Sequence, residues 1–139
     1  MNFNGMWVSN RTTKTNGVSY IIQRGAAAVF TPEGQRQIRE TISIYKNNAR
    51  VLTGALDELG IWYTGGKNAP YIWLQCPNGL SSWAFFDLLL QKAQIVGTPG
   101  AGFGACGEGY FRFSCFGNPE DTATAAQKLK EICLKQGAK

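Results

Sequence analysis

The stretch Gly102-Phe103-Gly104-Ala105-Cys106-Gly107-Glu108-Gly109-Tyr110-Phe111-Arg112-Phe113-Ser114-Cys115-Phe116 decides between two architectures. Its first six residues match G-x-G-x-x-G, the turn that sets a dinucleotide phosphate against a helix N-terminus. That use needs a strand before the motif and a helix after it. Here the motif runs into Tyr110–Phe116, an aromatic-rich run with period-two alternation, which predicts a strand. A kinase-type glycine loop would lie between strands, but no V-A-I-K lysine follows it. The six glycines between Gly97 and Gly109 therefore read as a loop whose backbone bends sharply and packs close to something, not as a phosphate cradle.

Alternation along the strand puts Phe111, Phe113 and Cys115 on one face and Tyr110, Arg112 and Ser114 on the other. An arginine among five apolar residues is costly to bury without an anionic partner. Two partners are open at this point. One is a ligand carboxylate gripped through two parallel hydrogen bonds; the other is a structural ion pair with Glu108, the nearest acid in sequence. The strand also faintly echoes the aromatic RNP1 strand of RNA-binding domains. The basic first position of that motif is Glu108 here, and no basic stripe frames it.

Upstream, a helical pattern opens at Asn16-Gly17 and carries Val18, Ile21, Ile22 and Ala26 to Phe30. Thr31-Pro32-Glu33 starts a second helix: Thr as N-cap, Pro at the first position, an acid against the dipole. Ile38, Ile42, Tyr45, Ala49, Leu52, Leu56 and Leu59 then form one stripe, ended by Gly60. Short strands are predicted over 61–64 and 71–76, joined through Gly65-Gly66. A helix is capped by Ser81 or Ser82 and carries Phe85, Phe86, Leu89, Leu90 and Ala93. A strand over 94–98 follows. After the Arg112 strand, Asn118-Pro119 caps a last helix with Ala123, Ala126, Leu129 and Ile132 on one face. Three to four short strands without regular βαβ alternation predict an α+β fold: a small antiparallel or mixed sheet with helices packed on it, preceded by a long helix.

Composition narrows the chemistry. The 139 residues are 44% apolar and 17% charged, with 17 glycines and a net charge of +5. That balance belongs to a folded segment, and the modest positive charge suits anionic ligands as well as nucleic acid. There is no histidine, which removes Ser-His-Asp triads, Cys-His dyads and His-ligated metal sites. Cys76, Cys106, Cys115 and Cys133 form no C-x-x-C pair, so free, mostly buried thiols in a reducing compartment are expected. No apolar run reaches the ~18 residues of a membrane span, and no basic-then-apolar leader opens the chain. A cytoplasmic protein is expected. Ser43-Ile44-Tyr45-Lys46 formally matches S-x-x-K but falls mid-helix, in the wrong order relative to Lys14-Thr15-Asn16 for a penicillin-binding enzyme.

Taken in order, Thr12–Tyr20 with its Asn16-Gly17-Val18-Ser19 string, Gly65-Gly66-Lys67-Asn68-Ala69-Pro70-Tyr71, Ser81-Ser82-Trp83, Thr98-Pro99-Gly100-Ala101-Gly102-Phe103-Gly104 and Gly107–Arg112 make a specific series. The chain resembles the C-terminal part of the LL-diaminopimelate aminotransferases, pyridoxal-phosphate enzymes of fold type I. The resemblance runs from about residue 7 to residue 134. It implies that Arg112 binds the substrate α-carboxylate, and that Asn16 serves the cofactor and substrate site, acting across a homodimer interface. It further implies a segment 1–30 joining a large domain, a C-terminal small domain over 31–139, and amino-acid and 2-oxo-acid substrates, with no nucleic acid, membrane or metal. Ala105-Cys106 and Cys115 depart from the family in packing more than in chemistry. The Schiff-base lysine, the phosphate ligands, the acid opposite the pyridine nitrogen and the ring-stacking tyrosine all precede the Asn16 string in the family. None of the eight lysines here lies in a comparable motif. The chain is thus expected to be a fragment about a third of an enzyme long, with no catalytic residue of its own and no activity or cofactor binding when isolated. A different class remains beside this one: a free-standing α+β module that binds a small carboxylate or a partner chain without a cofactor.

Overall fold

A computed structural model describes residues 17–137, and side chains up to residue 134. Asn16 therefore lies outside the described residues, as does most of the string that carries it. The chain divides into two compact units between Thr41 and Ile42.

Helix α1 spans Tyr20–Ala28 in the first unit; α2, Pro32–Glu58, follows after three intervening residues, and its part from Ile42 onward belongs to the second unit. The turn between them is built by Thr31. Its hydroxyl donates to the Ala28 carbonyl (2.7 Å) and accepts from the Gly34 N–H (3.1 Å), the expected N-cap. Gly34 is dictated by the same turn, because a Cβ there would collide with the Ala28 carbonyl. Arg36 bridges Glu33 and Glu40 on the solvent side of α2. The apolar residues of α1 keep helical spacing but none is buried; Ile21 is 79% and Phe30 81% exposed.

The second unit holds a four-stranded sheet, β1 (Tyr63–Gly65), β2 (Tyr71–Gln75), β3 (Thr98–Pro99) and β4 (Tyr110–Ser114), in the order β1-β2-β4-β3. Every pairing is antiparallel. The α+β expectation stands, and the sheet is purely antiparallel. Helix α3 (Ser82–Ala93) enters between β2 and β3, and α4 (Pro119–Gly137) follows β4. One sheet face carries Ile72, Leu74, Phe111 and Phe113. They share a single buried cluster with Ala49, Leu52 and Leu56 of α2, Phe85 and Leu89 of α3, and Ala126 and Leu129 of α4. Phe111 lies edge-on to both Phe85 (5.2 Å) and Phe113 (5.4 Å), the arrangement aromatic quadrupoles favour.

Three element boundaries differ from expectation because a backbone group is used elsewhere, and one helix face is turned by a residue. The first strand starts at Tyr63 and not Ile61, since the Ile61 N–H closes α2 on the Leu56 carbonyl (3.0 Å) beside left-handed Gly60. The strand expected over 94–98 reduces to Thr98–Pro99. Gln94 and Ile95 spend their N–H groups on the last carbonyls of α3 (3.2 Å each). Strand β4 ends at Ser114 because buried Asn48 takes the next free carbonyls, donating to Cys115 (3.1 Å) and Gly117 (2.8 Å). In α4 the inward position is Thr122 and not Ala123, with the Thr122 hydroxyl donating to the Asn118 carbonyl (2.8 Å). Asn118 caps that helix as expected, its side chain accepting from the Glu120 N–H (2.8 Å).

Candidate functional site

Arg112 is the middle residue of β4, paired with Trp73 on one side and Thr98 on the other. It therefore lies on the sheet face opposite the core, half-buried. Two strands and a loop build its surroundings. Tyr71 sits opposite Ser114, the diagonal neighbour of Arg112, within reach of a long side chain. The Arg112 guanidinium carbon lies 4.6 Å from the centre of the Tyr71 ring and 4.7 Å from that of Phe103. Trp73 meets Phe103 edge-on (5.6 Å) and stacks on Tyr110 (5.7 Å, 20° between planes).

Glu108 is not the partner of Arg112. Its carboxylate accepts from the Ser82 N–H (2.8 Å) and the Gly109 N–H (3.2 Å), a favoured place for an anion at the first turn of α3. Among the described residues no carboxylate pairs with Arg112 and no hydrogen bond engages its guanidinium. The ion pairs found there are Arg36 with Glu33 and Glu40, and Lys130 with Glu58. The ion-pair reading with Glu108 is thereby corrected: that acid, two residues before Tyr110, is committed to the backbone amides of Ser82 and Gly109.

Ser82 joins the glycine loop to the sheet. It has no exposed surface. Its hydroxyl donates to the Tyr110 carbonyl (2.9 Å), with that of Gly107 at 3.2 Å, and accepts from the Gly109 N–H (3.0 Å). Ser81, one residue earlier, is the helix cap, accepting from the Ala84 N–H (3.1 Å). The serine pair thus divides the two roles that the sequence left to either. Gly100 and Gly107 face each other so closely that a Cβ on either would strike the other's backbone. The N–H groups of Gly104, Gly107 and Glu108 are spent on loop carbonyls (2.9–3.2 Å). These three amides, like that of Gly109, are turned inward and are not free to cradle a phosphate. The loop is a close-packed wall whose exposed tip presents Phe103.

The described residues do not by themselves form a seat for pyridoxal phosphate. Lys128 donates to the Ala93 carbonyl (3.2 Å) and Lys130 pairs with Glu58 (2.6 Å). Lys46 and Lys67 line a cleft of about 300 Å3 whose lining does not include Arg112. Among the described residues no three His, Cys, Asp or Glu side chains gather as a metal site, and no helix is long and apolar enough to cross a membrane. All four cysteines are free, Cys76 and Cys115 buried and Cys106 exposed.

Sequence reasoning placed Arg112 but not the rings around it. The alternation of β2 does put Tyr71 and Trp73 on one face. That this face is also Arg112's follows only from the β2–β4 register, which no local pattern encodes.

An α+β layer with a glycine wall leading into an arginine-bearing strand defines a class of protein, and comparison with known families names it: the chain belongs to the aminotransferase class I and II family, whose model matches residues 9–129. Membership implies pyridoxal phosphate in the full-length enzymes. Within the family, the chain is 54% identical over 131 residues to LL-diaminopimelate aminotransferase of Lawsonia intracellularis, covering 94% of this chain and 32% of that protein. It is 52% identical over 132 residues to the enzyme of the same name from Azobacteroides pseudotrichonymphae, covering 95% and 33%. The solved L,L-diaminopimelate aminotransferase of Chlamydomonas reinhardtii superposes with a TM-score of 0.85 at 41% identity, over 91% of this chain and 31% of that one. The chain spans about a third of the length of the curated relatives it matches.

Proposed function

We propose that this chain is the C-terminal part of an LL-diaminopimelate aminotransferase, in which Arg112 binds the substrate α-carboxylate. The enzyme would move an amino group between LL-2,6-diaminopimelate and 2-oxoglutarate in the cytoplasm, as a homodimer with pyridoxal phosphate. The observation that carries the reading is a half-buried arginine on the sheet face opposite the core, with no acid partner among the described residues. A planar fork of five N–H donors left unused in this way matches a carboxylate in shape and charge.

Two-point capture fixes where the carboxylate sits, and with the amino group held as a second anchor it sets the rotation about the N–Cα bond. It thereby aims the Cα–H bond in one direction before the proton leaves. Pyridoxal phosphate, when bound in the full-length enzyme, supplies the electron sink for that step. The role of this chain is receptor and wall: Arg112 holds the acid group, and the glycine loop keeps Phe103 and β4 in fixed relation. Asn16 completes the reading as a contact to cofactor and substrate in the partner subunit's site.

The test joins this chain to its upstream coding region and assays amino transfer from LL-2,6-diaminopimelate to 2-oxoglutarate. Transfer by the joined protein, and none by the 139-residue chain alone, is the expected result. Saturable amino-acid binding by the isolated chain, with no lysine-bearing large domain encoded upstream, would favour a free-standing carboxylate-binding module and overturn the proposal.

A further inference from the structure

We infer that Tyr71 and Phe103 are positioning residues for Arg112: their rings hold the guanidinium by its flat face so that its edge stays free for a carboxylate. The inference rests on the reading of Arg112 as a carboxylate receptor and extends it to two residues that the motif comparison leaves without a role.

The physical problem is one of competition. An arginine on an outward sheet face keeps much of its rotamer freedom, and a ligand must freeze it on binding. An internal acid would remove that freedom, but it would occupy the same N–H groups that the ligand needs. Aromatic faces avoid the conflict. Attraction between a cation and a ring acts over the face of the ring, and a planar guanidinium can stack flat there, whereas all five N–H groups point outward in its plane. The Arg112 carbon lies 4.6 Å from the Tyr71 ring centre and 4.7 Å from that of Phe103, inside the ~6 Å range of this interaction. Among the described residues no acid competes: Glu108, the nearest in sequence, is held by the amides of Ser82 and Gly109.

Both rings are themselves fixed. Tyr71 meets Phe116 edge-on (5.4 Å), and Phe116 meets Tyr45 of α2 (5.0 Å). The Cys115 N–H donates to the Pro70 carbonyl (2.9 Å), locking the register that places Tyr71 diagonal to Arg112. Phe103 is braced by Trp73 (5.6 Å) and stands on the loop closed by the Gly100–Gly107 contact. The rings thus come from two separate sequence motifs, converging on one cation.

The test follows the Arg112 Nε–Hε resonance of the isotope-labelled protein, the chain joined to its upstream coding region, during titration with 2-oxoglutarate. Ring currents displace that resonance from those of the other arginines, and Arg112→Lys assigns it by deleting it. Tyr71→Leu and Phe103→Leu should each return it towards the others and weaken 2-oxoglutarate binding roughly two- to fivefold. Tyr71→Phe, which keeps the ring, should preserve both properties. If both leucine variants bind as tightly as the wild type, the positioning role fails while the carboxylate reading stands. If 2-oxoglutarate leaves the wild-type resonance unmoved, the carboxylate reading fails and the positioning role falls with it. A measurement on the unaltered joined protein covers variants that do not fold. The Arg112 Nε–H bond should be about as ordered as rigid backbone (order parameter about 0.85), and a value below about 0.6 would overturn the inference.

Discussion

Cys76 shows how much one residue's surroundings can decide. Its N–H donates to the Gly109 carbonyl (2.8 Å), at the start of the strand that carries Arg112. Burial first, and the Glu108 charge second, push its thiol up to about 11 from an ordinary 9.0. Because the folded-state value is the higher one, the neutral thiol contributes stability that is fully present below about pH 9 and is lost as pH rises through about 11. Thermal unfolding followed across that window should show a falling midpoint, and Cys76→Ala should flatten the fall. An identical slope in the variant would show that other groups govern the alkaline transition. Arg112 belongs to the same scale. Its presence on an outward face was legible from period-two alternation, and so was the need for a partner. The identity of that partner was not, because Glu108 is four positions from Arg112 in sequence yet bonded to the start of a helix. Ser82 was legible only as one of two cap candidates, and its three contacts to the glycine loop and β4 depend on a fold that brings residues 82 and 107–110 together.

At the scale of elements, the patterns with long periods were read most securely. The stripe on α2 placed Ala49, Leu52 and Leu56 in the core, and Thr31 and Gly60 marked its ends. The short strands were legible as strands but not at their ends, where Ile61, Gln94, Ile95 and Cys115 give backbone groups to helices and side chains. Asn48 is the clearest case: a polar residue on the apolar side of a helix, buried to end a strand some 70 positions away. The glycine loop offers a direct test. Gly107→Ala would set a Cβ against the Gly100 backbone, whereas a Cβ on Gly102 would meet nothing within 4 Å. Overpacking of this kind costs about 1–3 kcal/mol. Urea unfolding should therefore show Gly107→Ala destabilised by about that amount, and Gly102→Ala close to the wild type. Equal effects in the two variants would mean that loop flexibility, not the close approach of two backbones, sets the stability.

At the scale of the molecule, the ordered series of short motifs was more informative than any one element, because each string marks a place where the backbone or a ligand allows little variation. The N-A-P-Y string carries Tyr71, S-S-W carries the cap and the buried Ser82, and T-P-G-A-G-F-G carries the close-packed wall and Phe103. Three strings far apart in sequence thus converge around Arg112. Helix α1 obeys the local rules of a helix, yet among the described residues none of its apolar side chains is buried. The role proposed for Arg112 is to receive the α-carboxylate. It is tested most directly by the kinetics of Arg112→Lys in the chain joined to its upstream region, with pyridoxal phosphate bound. Losing two-point capture should lower kcat/KM for the amino-acid substrate by about 100-fold or more, with the cofactor absorbance unchanged and with turnover of an amine lacking the carboxylate unaffected. Unaltered kinetics for both the amino acid and 2-oxoglutarate would contradict that role.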